Sequence, residues 1–199
     1  MRIWAIGDVH GCLKALDTLL VELDLQPDDQ LVFLGDLIDR GPDSRGVIEK
    51  IMQCRTERTV HVIKGNHEEM LMIARDLPGY AQAWQQFGGK ETIESYGWTQ
   101  GITPGWIEAI PTNQWNFLKN DLVDAVEEAG HLMVHGGLDP QLSLAEQPWG
   151  ELRWMKWKSP APMFQDRSWS AAIRINLQES RSRSAMRSAS IPGYTATVG

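Results

Sequence analysis

With 199 residues, of which 42% are hydrophobic, the chain is long enough for one sizeable core and reads by length as one domain. A formal net charge of −7 and a pI near 5.2 exclude a general nucleic-acid or anionic-membrane binder, leaving room only for a local cationic pocket. No basic segment followed by an apolar run opens the chain and no apolar stretch is long enough to span a bilayer, so the expected location is cytoplasmic, with Cys12 and Cys54 as reduced thiols.

Residues 2 to 6, Arg-Ile-Trp-Ala-Ile, form an apolar run ended by Gly7 and predict a buried strand. Asp8 and His10 follow, separated by one residue, so both side chains can leave the strand end on one side. Apolar residues at 13, 16, 19, 20 and 23 then predict a helix. A second strand, Gln30 to Leu34, ends in Gly35 and delivers Asp36, Asp39 and Arg40 within five residues. Open α/β sheets hold their ligands at such carboxyl ends. Turn chemistry alone would also account for Asp-Arg-Gly-Pro-Asp, but the pattern repeats. A helix from Ser44 to Cys54 leads to the strand Thr59 to Ile63, then to Gly65, Asn66, His67 and Glu68. The alternation predicts α/β architecture with crossover connections.

Residues 68 to 119 read as helical and irregular. Trp84, Phe87, Trp98, Trp106 and Trp115 make them aromatic, with core packing as the expected use, and Ile107 to Pro111 reads as a helix end. Leu122 to Val126 and His131 to Val134 predict a hairpin turning through Glu127 to Gly130, after which His135-Gly136-Gly137 closes the fourth strand end. His61 is read as a strand residue on a partly exposed face with no function, and His131 as exposed or structural.

Asp8, His10, Asp36, Asn66 and His135 form an oxygen and imidazole set without thiolate, which suits manganese, iron or zinc. Two divalent ions about 3.5–4 Å apart, sharing a carboxylate and bridging a hydroxide, would clamp an in-line displacement at phosphorus, and Asp36 is the natural shared ligand. Arg40 would grip phosphate through a bidentate fork. His67 would protonate the leaving oxygen, with Asp39 fixing its tautomer.

The segments GDVHG at 7–11, GDLIDRG at 35–41, GNHE at 65–68 and HGG at 135–137 resemble the signature of the calcineurin-like metallophosphoesterase superfamily. The DRG and GNHE forms are similar to PPP-type serine/threonine phosphatases of the bacterial and phage group, as are Trp84 to Gly89, Thr92 and Ser95 to Gly97. The resemblance implies a four-layer sandwich of two mixed β-sheets flanked by helices. It implies two divalent ions, of which manganese is the first expectation, and phosphoserine or phosphothreonine proteins as substrates. Asp8, His10 and Asp36 match the ligands of one ion, and Asp36, Asn66 and His135 those of the other. His67 and Asp39 match the catalytic pair and Arg40 the phosphate clamp, with Asn66 also facing substrate. A second phosphate cation is sought downstream in Arg153 or Lys156. Symmetrical dinucleoside polyphosphate hydrolysis, by enzymes with related motifs, is the alternative reading; a silent phosphoprotein-binding module is the third.

The catalytic domain is expected to span 1–166, with 167–199 an Arg- and Ser-rich tail. The family's further metal-binding His, in a GHT motif, and its late IDTG-like turn are missing, since no His follows His135. A polar, unstructured tail is one reading. The other is a frameshift between His135 and Trp169. Reading the codons of Trp169 to Asn176 two bases on permits Val-Cys-Gly-His-Thr-His-Gln, and the same frame across Ser188 to Ala196 permits Cys-Ile-Asp-Thr-Gly. With the tail as written, the second metal is expected to bind weakly and activity to be impaired. Resequencing that interval tests the frameshift.

Overall fold

A computed structural model describes residues 1–139 and 141–155, together with the backbone of strands 187–191 and 194–198. Lys156, residues 157–186 and hence the frame-shifted stretch 169–176 lie outside the described residues.

Three short strands, β1 (Ile3–Ile6), β2 (Gln30–Phe33) and β3 (Val60–Val62), form a parallel sheet with β2 in the middle. The register places Ile6 beside Phe33 and Phe33 beside Val62, so all three strands end at one edge. Their connections are the helices α1 (Leu13–Glu22) and α2 (Ser44–Glu57), the crossovers that parallel pairing requires. The strands read as continuous apolar runs because both faces are covered. Leu31 and Phe33 face one core with Leu16, Ile48, Ile51 and Leu71, while Val32 and Leu34 face another with Ile63, Val126 and Met133. Each such side chain contributes about 1.5–3 kcal/mol on burial.

Asp43 caps α2, its Oδ1 accepting from the Gly46 amide at 2.8 Å. α3 (Asn66–Asp76) and α4 (Pro78–Trp84) follow, then a wide turn over Gln85–Gly89 and α5 (Lys90–Ser95). Pro111 starts an element rather than only ending one. The turn Trp106–Ala109 precedes it, and Pro111 is the N-cap of α6 (Thr112–Asn116), where a missing amide is no loss.

The predicted hairpin lies three residues later than its first strand was placed. β4 (Ala125–Glu128) pairs antiparallel with β5 (His131–Val134) around Ala129-Gly130, both at positive φ. Val123 instead bridges Ile63, extending the parallel sheet by one residue. His131 is buried. The short helix α7 (Trp149–Trp154) packs its C-terminal backbone on the His135 loop, where Gly136 donates to Leu152 at 2.6 Å. Within the tail, β6 (Arg187–Ile191) and β7 (Tyr194–Val198) form an antiparallel hairpin. That corrects the reading of this part as unstructured: the composition is polar, yet Ile191, Thr195, Thr197 and Val198 supply β-branched residues.

Candidate active site

Four strand ends converge on Asp36. The β1 and β2 loops are zipped together by the Val9 and His10 amides on the Asp36 carbonyl (3.0 and 2.8 Å) and by the Gly11 amide on the Leu37 carbonyl (2.8 Å). The β3 loop joins through the His67 amide, which donates to Asp36 Oδ1 at 3.1 Å. Gly65 allows this approach, since a Cβ there would stand 2.2 Å from Asp36 Oδ1. His10, Asp36, Asp39 and Arg40 are four of the six non-glycine residues with positive φ among the described residues. Such conformations cost of order 1–3 kcal/mol each and persist where surrounding contacts over-determine them.

The histidine tautomers follow from their partners. His10 Nδ1 lies 2.9 Å from the Ile38 carbonyl, which can only accept, so Nδ1 carries the proton. Arg40 Nη1, which can only donate, sits 2.7 Å from His10 Nε2 and agrees. Burial, reinforced by Arg40 and the neighbouring histidines, outweighs the Ile38 hydrogen bond and pushes the His10 pKa down to about 3. The ring is therefore neutral, and its Nε2, which accepts from Arg40, lies 3.9 Å from Asp8 Oδ2 and 3.7 Å from Asp36 Oδ2. His135 is built alike. Its Nδ1 donates to the Leu34 carbonyl at 2.8 Å, and its Nε2 faces Asn66 Oδ1 at 2.9 Å and Asp36 Oδ1 at 3.3 Å. Histidines held this way present Nε2 to a metal.

Oxygen and imidazole donors thus converge from opposite sides on one buried carboxylate. Ligand atoms of His10, Asp36 and His67 lie within 4.8 Å of one another, as do those of Asp8, Asp36 and His135. Asp36 belongs to both groups, the arrangement a shared ligand requires. The donor set fits divalent manganese, iron or zinc alike, but the grouping differs from the expected one: His67 joins His10 and Asp36, Asp8 joins Asp36 and His135, and Asn66 Oδ1 stands 2.9 Å from His135 Nε2.

His67 lies edge-on to His10, ring centroids 4.6 Å apart, and donates Nδ1–H to Asp39 Oδ2 at 2.7 Å. Burial opposes its charge, but the Asp39 hydrogen bond and the Asp36 and Asp39 carboxylates prevail, leaving its pKa raised. A protonated, oriented imidazole can act as an acid. Arg40 is exposed; its Nη1 sits on His10 Nε2, and the remaining guanidinium N–H groups are those that can meet a phosphate.

The eight residues Asp8, His10, Asp36, Asp39, Arg40, Asn66, His67 and His135 therefore form one connected cluster. Arg153 is engaged elsewhere: its guanidinium pairs with Asp124 and Glu69, and its backbone abuts Gly136. It braces α7 against α3, and those two carboxylates occupy the donors a phosphate would need.

Three supporting groups escaped the sequence reading. The Glu68 carboxylate is fully buried and accepts from the amides of Gly65 (2.8 Å), Asp36 (2.9 Å) and Leu37 (2.7 Å). Burial first and Asp36 second raise its pKa. Its position three residues past Gly65 is a capping-box spacing, the signal that was available. Thr92 donates to Asp39 Oδ1 at 2.7 Å and accepts from the Asp39 amide at 2.8 Å, and Trp84 Nε1–H donates to Asp39 Oδ2 at 2.8 Å. Trp84, expected to serve packing alone, also orients the partner of His67.

With this geometry in place, comparison with known proteins supplies the class. The calcineurin-like phosphoesterase family matches over residues 1–181, and the chain belongs to it. The asymmetrical bis(5'-nucleosyl)-tetraphosphatase PrpE of Oceanobacillus iheyensis is 31% identical over 138 residues, 65% of this chain and 50% of that protein. The symmetrical bis(5'-nucleosyl)-tetraphosphatase of Ralstonia nicotianae is 30% identical over 163 residues, 78% of this chain and 50% of that protein. Serine/threonine-protein phosphatase 1 of Salmonella typhimurium is 40% identical over 89 residues, 44% of this chain and 39% of that protein. The chain spans half or less of the length of these relatives. No helix among its described residues is long and apolar enough to cross a membrane.

Proposed function

We propose that this phosphoesterase hydrolyses dinucleoside polyphosphates, cleaving a phosphoric anhydride bond. The observation that carries the reading is the reach of the similarity: the two tetraphosphatases align with 65% and 78% of the chain. The protein-phosphatase relative aligns with 44%. This reverses the order expected from the motifs, in which a phosphoprotein came first, because GD and GNH loops build the same metal cluster for either substrate.

Bound divalent ions supply Lewis acidity and an activated water. Arg40 binds the non-bridging oxygens of the attacked phosphate. His67, its Nδ1–H held by Asp39 and its imidazolium form favoured by the neighbouring carboxylates, gives its Nε2 proton to the departing phosphate oxygen and is left neutral. Asn66, at the N-terminus of α3, can donate its amide to a phosphate oxygen, and the helix end favours negative charge there.

Protein phosphatase activity is the second reading, favoured by the higher local identity of 40% and by the DRG and GNHE forms. Measuring kcat/KM for diadenosine tetraphosphate and for a phosphoserine peptide, both with manganese, separates the two. The proposal expects the nucleotide to be preferred at least tenfold, on the order of one binding contact of ~1.4 kcal/mol. Preference for the peptide reverses it.

A further inference from the structure

The segment Gln85–Gly89 is pinned at both edges yet leaves its central aromatic in solvent. Trp84, Gly88 and Gly89 are buried, whereas Phe87 between them is 55% exposed. The buried members are tied to the site. The Gly88 carbonyl accepts from the Arg40 amide at 3.1 Å, and Gly88, at φ +109°, would bring a Cβ within 2.3 Å of the Arg40 nitrogen. Gly89 lies flat on the Trp84 ring, where a Cβ would meet it at 2.3 Å, and that same ring donates to Asp39. The chain therefore places Phe87 one residue from a backbone contact with the phosphate clamp, on a turn whose position Arg40, Asp39 and Trp84 fix. An exposed Phe in a loop costs apolar hydration and adds nothing to the core. An exposed aromatic ring carried one residue from the backbone that holds Arg40 suits a ligand with a planar ring joined to phosphate.

The structure assigns Phe87 as a specificity-determining residue, the stacking platform for the nucleobase of a nucleotide whose phosphate is held by Arg40. This deepens the proposed function and rests on it for the substrate class. Trp154, also exposed at 48%, is the internal comparison. Its indole N–H donates to Glu69 Oε2 at 2.5 Å, which commits the ring to α3 and away from a free stacking role.

The test is isothermal titration of the full 199-residue chain with saturating manganese, using adenosine 5'-(β,γ-imido)triphosphate and inorganic tripolyphosphate as probes. The parent chain is expected to bind the nucleotide about five- to tenfold more tightly than tripolyphosphate, the low end of base stacking. Phe87→Ala should erase that preference, Phe87→Tyr should keep it, and Trp154→Ala should keep it. Melting curves of the variants report folding, and the tyrosine variant gives the answer if alanine unfolds the turn, since an intact preference in Phe87→Tyr with loss in Phe87→Leu carries the same meaning. Equal binding of both probes by the parent, or an undiminished preference in Phe87→Ala, overturns the assignment. Absence of diadenosine tetraphosphate hydrolysis alongside a Phe87-dependent preference would sink the substrate reading and leave Phe87 standing as a nucleotide platform. Hydrolysis without any base preference would do the reverse.

Discussion

The parallel-sheet edge and the helical stretch from Pro78 to Asn116 contribute to the same site in opposite ways. Among the described residues, the sheet edge supplies every candidate metal ligand, each within a few residues of a strand end. The helical stretch supplies none, yet Trp84 and Thr92 hold Asp39, and Gly88 holds Arg40. One layer provides the reactive groups and another sets their direction. Glu68 does the second job from inside the first, threading three loop amides onto one buried carboxylate.

Substitutions along this division should grade in effect. Asp36→Ala removes the ligand common to both groups, and turnover should fall to the chelated background while manganese binding by calorimetry is lost at both sites. Bound metal with residual turnover would break the assignment of Asp36 as shared. His67→Asn should lower kcat by about 10²–10⁴-fold with metal binding retained, a split that separates the proton donor from the ligands. Glu68→Gln keeps the shape but removes the charge that three amides address. Manganese affinity should drop by about 10–100-fold, as for other outer-shell partners, and an unchanged isotherm would show that the loops hold Asp36 without it.

Thr92→Val sharpens the contrast from the helical side. It withdraws one donor from Asp39, and activity should fall about tenfold with manganese affinity as in the parent; a fall in affinity instead would mean that α5 acts on the ligands directly. The smallest effect on turnover is expected far from the site. Asp29 is buried and accepts from the Arg2 amide and guanidinium, the Trp4 indole and the Gln26 amide, clasping β1 to the start of β2. Arg2 chiefly holds its carboxyl below the ordinary range. A depressed folded pKa stabilises above the unfolded value, about 3.9, and that contribution is lost as pH falls through the folded one. Asp29→Asn should thus lower the melting temperature at pH 7, by an amount corresponding to about 1.5–3 kcal/mol, and the gap to the parent should close toward pH 2. A gap that stays constant with pH would assign the loss to packing rather than charge.

The elements that were legible in sequence are those whose signal is local. Strand end, glycine and candidate ligand lie in one segment at Asp8, Asp36, Asn66 and His135, so the chain order alone announced the α/β fold and brought the candidate ligands to one sheet edge. The hairpin was misplaced because Leu122 and Val123 are as apolar as a strand, and their pairing with Ile63 is decided by a distant partner. Arg153 looked available because Glu69 and Asp124 are 84 and 29 residues away. Thr92 and Trp84 carried no sign of their bond to Asp39, 53 and 45 residues back. Substrate class was the least legible, since proteins named tetraphosphatase and proteins named protein phosphatase both align with this chain.

The central claim is that Asp36 joins two metal sites. Electron paramagnetic resonance of the chain at saturating manganese tests it most directly. The parent chain should give the spectrum of an exchange-coupled pair, replaced in Asp36→Asn by that of isolated ions or lost altogether. Isolated-ion signals in the parent chain, or a coupled pair that survives the substitution, would contradict it.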